Sequence, residues 1–270
     1  MTLKETRLSK IIAIVNQKGG VGKTTTSINL AAALVKNKRK ILLVDLDPQG
    51  NATVGIGINK QDFTVSSKNV LLNEAEIMTA LIKTEGGYDI LPTSQDLIVA
   101  EVQLMQVLQR EMRLKNALMK VANQYDYILI DCPPSLNILT LNALTAAHSV
   151  LIPIQCEYYA LEGLTGLLQT IEQVQTTINP NLFIEGLLRT MYDGRNRLAL
   201  DVSQQLIKHF PGRVYRTVIP RNVRLAEAPS HGLSIIQYDG KSQGAVAYLA
   251  LANEMLSTVN EKKEKENVTG

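Results

Sequence analysis

The sequence predicts an α/β fold, a doubly wound and mainly parallel sheet flanked by helices. Two observations point to it. Short runs rich in Ile, Leu and Val alternate along the chain with longer segments of helical periodicity. Two of those runs end in aspartate, and the first passes directly into a glycine-rich turn. Parallel strands need crossover helices, so the alternation itself argues for a sheet covered on both faces.

Taken in order, the strands are expected at Ile11–Val15, Ile41–Asp45, Tyr88–Leu91, Tyr127–Asp131, Val150–Ile154, Phe183–Leu188 and Val214–Val218. Each is a short, nearly continuous apolar run, as a strand buried on both faces requires. Between them, Thr24–Val35, Leu97–Val121, Leu136–Ala147, Leu161–Thr177 and Leu198–Phe210 are expected helices. Asn59 to Lys83 has no clear period. A closing helix, Ala245–Val259, places Tyr248, Leu251, Met255, Leu256 and Val259 on one face. With no linker, repeat or composition break, residues 1–270 are expected to form one domain, with flexible tails at 1–9 and 261–270.

Composition narrows the function. Of the 270 residues 45% are hydrophobic and 20% charged, a globular balance. The apolar runs fall far short of the roughly 18 residues of a membrane span, and the polar first ten residues lack a signal-peptide core, so the expected compartment is the cytoplasm. Cys132 and Cys156 are too few for a disulfide framework and are expected to be buried, inert thiols. Net charge is only +3, but Phe183 to Lys241 holds nine Lys/Arg against five Asp/Glu, leaving −1 for the rest. A positive surface would come from that region, which is otherwise a solvated face.

The chemistry is densest after the first strand. Ile11–Val15 leads into Asn16-Gln17-Lys18-Gly19-Gly20-Val21-Gly22-Lys23-Thr24-Thr25 and then a helix. Glycines let backbone N–H groups curl around a polyphosphate, and the helix N-terminus adds positive potential. Lys23 would reach the β- and γ-phosphates of ATP, and the Thr24 hydroxyl would ligate Mg²⁺. This is a phosphate-binding loop of the P-loop NTPase type, although Gln17 occupies the place of the usual first glycine. Gly19, Gly20, Val21, Gly22 and Thr25 complete the expected ATP-binding set.

Two acidic strand ends accompany it. In Asp45-Leu46-Asp47-Pro48-Gln49-Gly50-Asn51, Asp47 is expected to orient an attacking water, and Asp45 to serve either the metal shell or the loop. In Tyr127–Asp131 followed by Cys132-Pro133-Pro134-Ser135, Asp131 is expected near Mg²⁺ and Ser135 could cap the next helix.

The second lysine, Lys18, at the start of the loop is the signature of the deviant Walker A ATPases. With Asp45–Asn51, Asp131–Ser135, Met191-Tyr192-Asp193-Gly194-Arg195 and the block from Val218 to Ser230, the sequence closely resembles the ParA/Soj partition ATPases from about Lys10 to Val259. That resemblance implies a DNA-segregating ATPase in which two protomers sandwich two nucleotides and Lys18 reaches the partner's ATP. It implies that Pro220 and Asn222 contact adenine. It implies that the ATP-bound homodimer binds double-stranded DNA without sequence preference, through Arg195 and Arg224 first and Arg221 and Lys241 second. A ParB/Spo0J-like centromere-binding protein would stimulate hydrolysis, and the protein would be nucleoid-associated. A MinD-like membrane ATPase is the alternative; it needs a cationic amphipathic C-terminal helix, whereas Glu261–Glu266 nets zero charge. An iron–sulfur ATPase is a third, since a dimer would offer four thiolates.

Overall fold

The computed structural model describes residues 9–268, with side chains described as far as residue 257. In chain order its elements are β1 (Lys10–Ile14), α1 (Lys23–Lys36), β2 (Ile41–Asp45), α2 (Asn51–Gly55), α3 (Ser67–Leu71), α4 (Ile77–Ala80), β3 (Ile82–Lys83) and β4 (Asp89–Leu91). There follow α5 (Leu97–Leu104), α6 (Arg113–Met119), β5 (Tyr127–Asp131), α7 (Ile138–Ala146), β6 (Ser149–Gln155) and α8 (Ala160–Thr177). Then come β7 (Phe183–Tyr192), α9 (Arg197–His209), β8 (Val214–Pro220), α10 (Val223–Glu227), α11 (Ile235–Tyr238) and α12 (Gln243–Val268).

All eight strands join one sheet in the order β3-β4-β2-β5-β1-β6-β7-β8, parallel except for the two-residue β3 at the edge. Alternation along each central strand feeds two cores. Ile11, Ala13, Leu42, Val44, Ile128, Ile130, Val150 and Ile152 face α5 to α9. Ile12, Ile14, Ile41, Leu43, Leu129 and Leu151 face α1 and α12. Each strand is therefore apolar on both sides, which is why the runs lack a polar alternate. The doubly wound sheet is as the sequence predicts.

Three expectations change. The single helix at Leu97–Val121 is two, separated by a turn in which Gln109 takes a left-handed φ of 53°. The buried Asn142 of α7 captures the backbone there: its Nδ2 donates to Arg110 O (2.9 Å) and its Oδ1 accepts from Leu114 N (3.0 Å). A tertiary contact thus overrides a helical period. The cap of α7 is Asn137, whose side chain accepts from Leu139 N and Thr140 N, rather than Ser135. And β7 runs to Tyr192, four residues past its apolar stretch, which brings its end to the phosphate loop.

The tails expected at 1–9 and 261–270 fall partly outside the described residues. Within them Ser9 is buried, donating to the carbonyl oxygens of Ala122 and Tyr125, and helical backbone continues to Val268. The inward positions Ala245, Tyr248, Leu251, Ala252 and Met255 of α12 are all buried against the second core. Among the described residues no helix is long and apolar enough to cross a membrane.

Candidate nucleotide-binding site

The carboxyl ends of β1, β2, β5, β7 and β8 meet around one cavity of about 650 Å³. Its walls include Gly20, Lys23, Thr24, Asp47, Thr190 and Asn222, with Gly19, Gly22, Thr25, Pro220 and Arg221 also at its surface. A larger hollow of about 880 Å³ lies between α5, α7 and α8, but its two charged side chains are engaged locally, Glu101 accepting from Asn137 Nδ2 (2.8 Å) and Arg110 donating to Met105 O (2.6 Å). The smaller cavity is therefore the candidate site.

The loop after β1 is built for an anion. Gly20 and Gly22 adopt φ of 75° and 88°, in the left-handed region that favours glycine. A Cβ at Gly20 would meet nothing within 4 Å, so the glycine serves the turn. Gly22 is the N-cap of α1, whose first amides open toward the cavity. Asn16 anchors the start of the loop, its Nδ2 donating to Pro153 O (2.7 Å) and its Oδ1 accepting from Lys18 N (2.9 Å). Val21 is buried, and its carbonyl oxygen accepts from Thr190 Oγ1 at 2.8 Å.

Lys23 is buried, with Nζ donating to Lys18 O at 3.1 Å. Burial lowers its pKa, and the carboxylates of Asp131 and Asp47 oppose that shift. A partly desolvated ammonium with unspent donors suits a phosphate. Lys18 behaves differently. Its side chain leaves its own cavity and lies on Glu157, Nζ to Oε2 2.5 Å.

The two acidic strand ends diverge. Asp45 and Asp131 stand side by side in the β2–β5 register, both fully buried. Burial raises the pKa of each, and Asp45 beside it raises Asp131 further while the hydroxyls of Thr24 and Ser27 act in the other direction. Asp131 accepts from Ser27 Oγ on Oδ1 (2.9 Å), while its buried Oδ2 has no hydrogen-bond partner. Asp45 is bonded to the chain through both oxygens: Oδ1 accepts from Asp47 N (3.1 Å), and Oδ2 from Thr53 N (2.9 Å) and Thr53 Oγ1 (2.7 Å). Of the two roles open to Asp45, the loop is favoured over the metal shell, because both oxygens are bonded to the chain and the residue is not on the cavity wall. Asp47 is a buried carboxylate on the cavity wall, with Oδ1 accepting from Gln49 N (2.9 Å).

These residues fit Mg²⁺ with a nucleotide. No group of three or more His, Cys, Asp or Glu among the described residues is arranged to hold a metal. The sparse oxygen set of Thr24 and the orphaned Asp131 Oδ2 suits an ion that keeps waters and takes phosphate oxygens for the rest. At the opposite end, Pro220, Val223, Leu225 and Ile219 make an apolar shelf, and Asn222 caps α10 by accepting from Leu225 N (3.3 Å). Cys132 is buried beside Asp131, and burial pushes its thiol pKa up; Cys156 is buried likewise. Both are poor thiolates.

The basic candidates sit just outside. Arg195, beyond β7, makes a two-pronged pair with Asp193, Nε to Oδ1 3.0 Å and Nη2 to Oδ2 2.9 Å. That pairing holds the Asp193 carboxyl at about 2. Arg224 is on Glu227 (2.9 Å) with Asp239 at 3.8 Å. Arg221 and Lys241 are exposed, and Arg221 also reaches the cavity mouth. Sequence reading missed Thr190 and Met191 on the cavity wall and Glu157 beneath Lys18. The Met191–Arg195 block was the available signal for Met191, and Thr190 immediately precedes it.

Residues 9–184 match a family model described as an AAA domain. The chain is 54% identical over 249 residues to the sporulation initiation inhibitor protein Soj of Bacillus subtilis, covering 92% of this chain and 98% of that one. It is 48% identical over 259 residues to the chromosome partitioning protein ParA of Caulobacter vibrioides, covering 95% and 97%. A solved structure from Mycobacterium smegmatis, described as cobyrinic acid a,c-diamide synthase with bound ATP analog and magnesium, superposes with a TM-score of 0.82 at 41% identity, covering 92% and 95%.

Proposed function

The chain belongs to the ParA/Soj family of chromosome-partitioning ATPases, and we propose that it is an ATP-switched dimer that holds and releases DNA. Its cofactors are ATP and Mg²⁺, as in the related structure. The observation that carries the site assignment is the convergence of Lys23, Thr24, Asp47 and the Pro220–Asn222 block on one cavity, beside a buried Asp131 oxygen that has no partner.

Lys23 and the loop amides, from Gly19 to Thr25, bind the phosphates. Thr24 and Asp131 would hold Mg²⁺, which would supply charge neutralisation to the phosphates. Asp47 orients the attacking water; with a loose transition state, orientation matters more than basicity. Pro220 and Asn222 hold the base. Lys18 acts in trans, as a cation placed where charge develops in the partner's reaction. The exposed Tyr158 and Tyr159 beside it support a face that a second copy covers.

Arg195, Arg221 and Arg224 contact duplex phosphates; Arg195 and Arg221 lie on the loops after β7 and β8 and Arg224 in α10, directly beyond the strands lining the cavity, so nucleotide and DNA share a scaffold. A partition-system partner follows from the family; a ParB-like centromere-binding protein that stimulates hydrolysis is the specific reading. Residues 1–270 are taken as one domain, acting in the cytoplasm on the nucleoid. Ala245, Tyr248, Leu251, Ala252 and Met255 of α12 are committed to the core, so the apolar face of the described part of that helix is not open to a membrane.

The test is binding to an arbitrary duplex with ATP, ADP or no nucleotide across a salt series. Tight binding with ATP alone and a steep loss with salt are expected. Equal affinity in all three states would sink the switch.

A further inference from the structure

The peptide between Val21 and Gly22 is tied from outside the phosphate loop. Its carbonyl oxygen accepts from Thr190 Oγ1 at 2.8 Å, and Thr190 is 2% exposed at the end of β7. In a trans peptide the C=O and the next N–H point in opposite directions. Holding the Val21 oxygen on Thr190 therefore fixes the Gly22 N–H in the opposite direction from Thr190 Oγ1, at a peptide whose Gly22 lines the cavity together with Thr190. Gly20 and Gly22, on either side of Val21, are the most permissive residues for backbone rotation, so the loop alone does not select this orientation.

The strand end that supplies the tie is itself tightly specified. Met191, the next residue, holds a left-handed φ of 47° without being glycine, and it lines the cavity. Non-glycine residues keep such backbone only where their surroundings over-determine it, and they cluster at ligand sites. Tyr192 then accepts from Arg221 N through its carbonyl (3.3 Å), linking the same strand end to the Pro220–Asn222 block. Three consecutive residues thus fasten β7 to the loop, the cavity wall and the base-binding block.

We infer that Thr190 is a positioning residue of the nucleotide site: its hydroxyl orients the Val21–Gly22 peptide so that the Gly22 amide meets the phosphates. The inference rests on the nucleotide reading of this cavity. It predicts a binding defect and not a chemical one, because Asp47 lies in the loop after β2, a strand on the other side of β1 from β7.

The experiment is titration with Mg-ADP and steady-state ATP hydrolysis for wild type, Thr190→Val, Thr190→Ser and Thr190→Ala. Val keeps the shape of Thr and lacks the hydroxyl. Ser and Ala both lack the methyl and differ only in the hydroxyl, so that pair carries the test if the Val variant does not fold. Loss of one oriented donor to a charged phosphate is expected to weaken Mg-ADP binding roughly tenfold to a hundredfold in Val and Ala. KM for ATP should rise with it while kcat stays within about twofold, and Ser should stay close to wild type. Unchanged affinity in Val or Ala, or Ser as weak as Ala, would overturn the inference alone. Wild-type protein that failed to bind Mg-ADP would overturn the nucleotide reading and the inference together.

Discussion

Lys18 and Glu157 of the same chain form an ion pair, Nζ to Oε2 2.5 Å, at the rim of the cavity and with both side chains partly exposed. A lysine proposed to act on a partner's nucleotide is thus held at home by the turn that opens α8. Leaving Glu157 is part of the cost of engaging the partner, although an exposed pair contributes only about 0–1 kcal/mol.

Glu157→Gln should therefore favour the ATP-bound dimer modestly, by at most about fivefold per released pair and so about thirtyfold in the dimer dissociation constant, since two pairs are released per dimer. Lys18→Ala should bind nucleotide yet fail to form the sandwich or to hydrolyse within it. Sedimentation with ATP reads both, and a Lys18→Ala protein that dimerises and turns over normally would remove the trans role.

Lys23 is a buried cation whose charge the unliganded fold disfavours. Lys23→Met, which keeps the stem and drops the charge, should weaken ATP binding at least about a hundredfold, since charge-assisted bonds to phosphate contribute roughly 1.5–3 kcal/mol each. The unliganded variant should melt no lower than wild type. Titration calorimetry and a melting curve check the two halves, and normal ATP affinity would refute the phosphate-loop assignment.

Asp45 and Asp47 are two residues apart and should fail in different ways. Asp47→Ala should keep nucleotide affinity and dimerisation while turnover drops on the order of a hundredfold. Asp45→Ala leaves the amides of Asp47 and Thr53 without their acceptor, which should cost about 3 kcal/mol, or roughly 6–12 °C in Tm. Equal melting temperatures for the two variants would contradict the structural role of Asp45.

Arg195 and Arg224 should affect DNA and spare basal hydrolysis. Each loss should lower affinity about equally on unrelated duplexes and reduce the slope of log K against log salt by about one unit per phosphate contact, doubled in a symmetric dimer. Because Asp193 occupies the Arg195 guanidinium, Asp193→Asn should tighten DNA binding. Salt titrations check both directions, and Arg224→Ala indistinguishable from wild type at every salt concentration would reduce the basic C-terminal third to a solvated face.

The sequence by itself determined the sheet, the phosphate loop and the two acidic strand ends. Strands buried on both faces must be continuously apolar, a tight anion-binding turn must be glycine-rich, and carboxylates at the carboxyl ends of parallel strands stand at the edge where ligands bind; each demand is local and leaves its mark in a few adjacent residues. The partners of those residues were decided only by the tertiary structure. Asp45 and Asp47 look alike in sequence, and a contact with Thr53 makes the first structural. Leu97–Val121 has a helical period, yet Asn142 breaks it. Thr190 lies 169 residues from Val21 and Glu157 139 from Lys18. Hydrogen bonds over such separations depend on where strands lie in the sheet, and the order β5-β1-β6-β7, with the longer reach of β7, is what brings these pairs together.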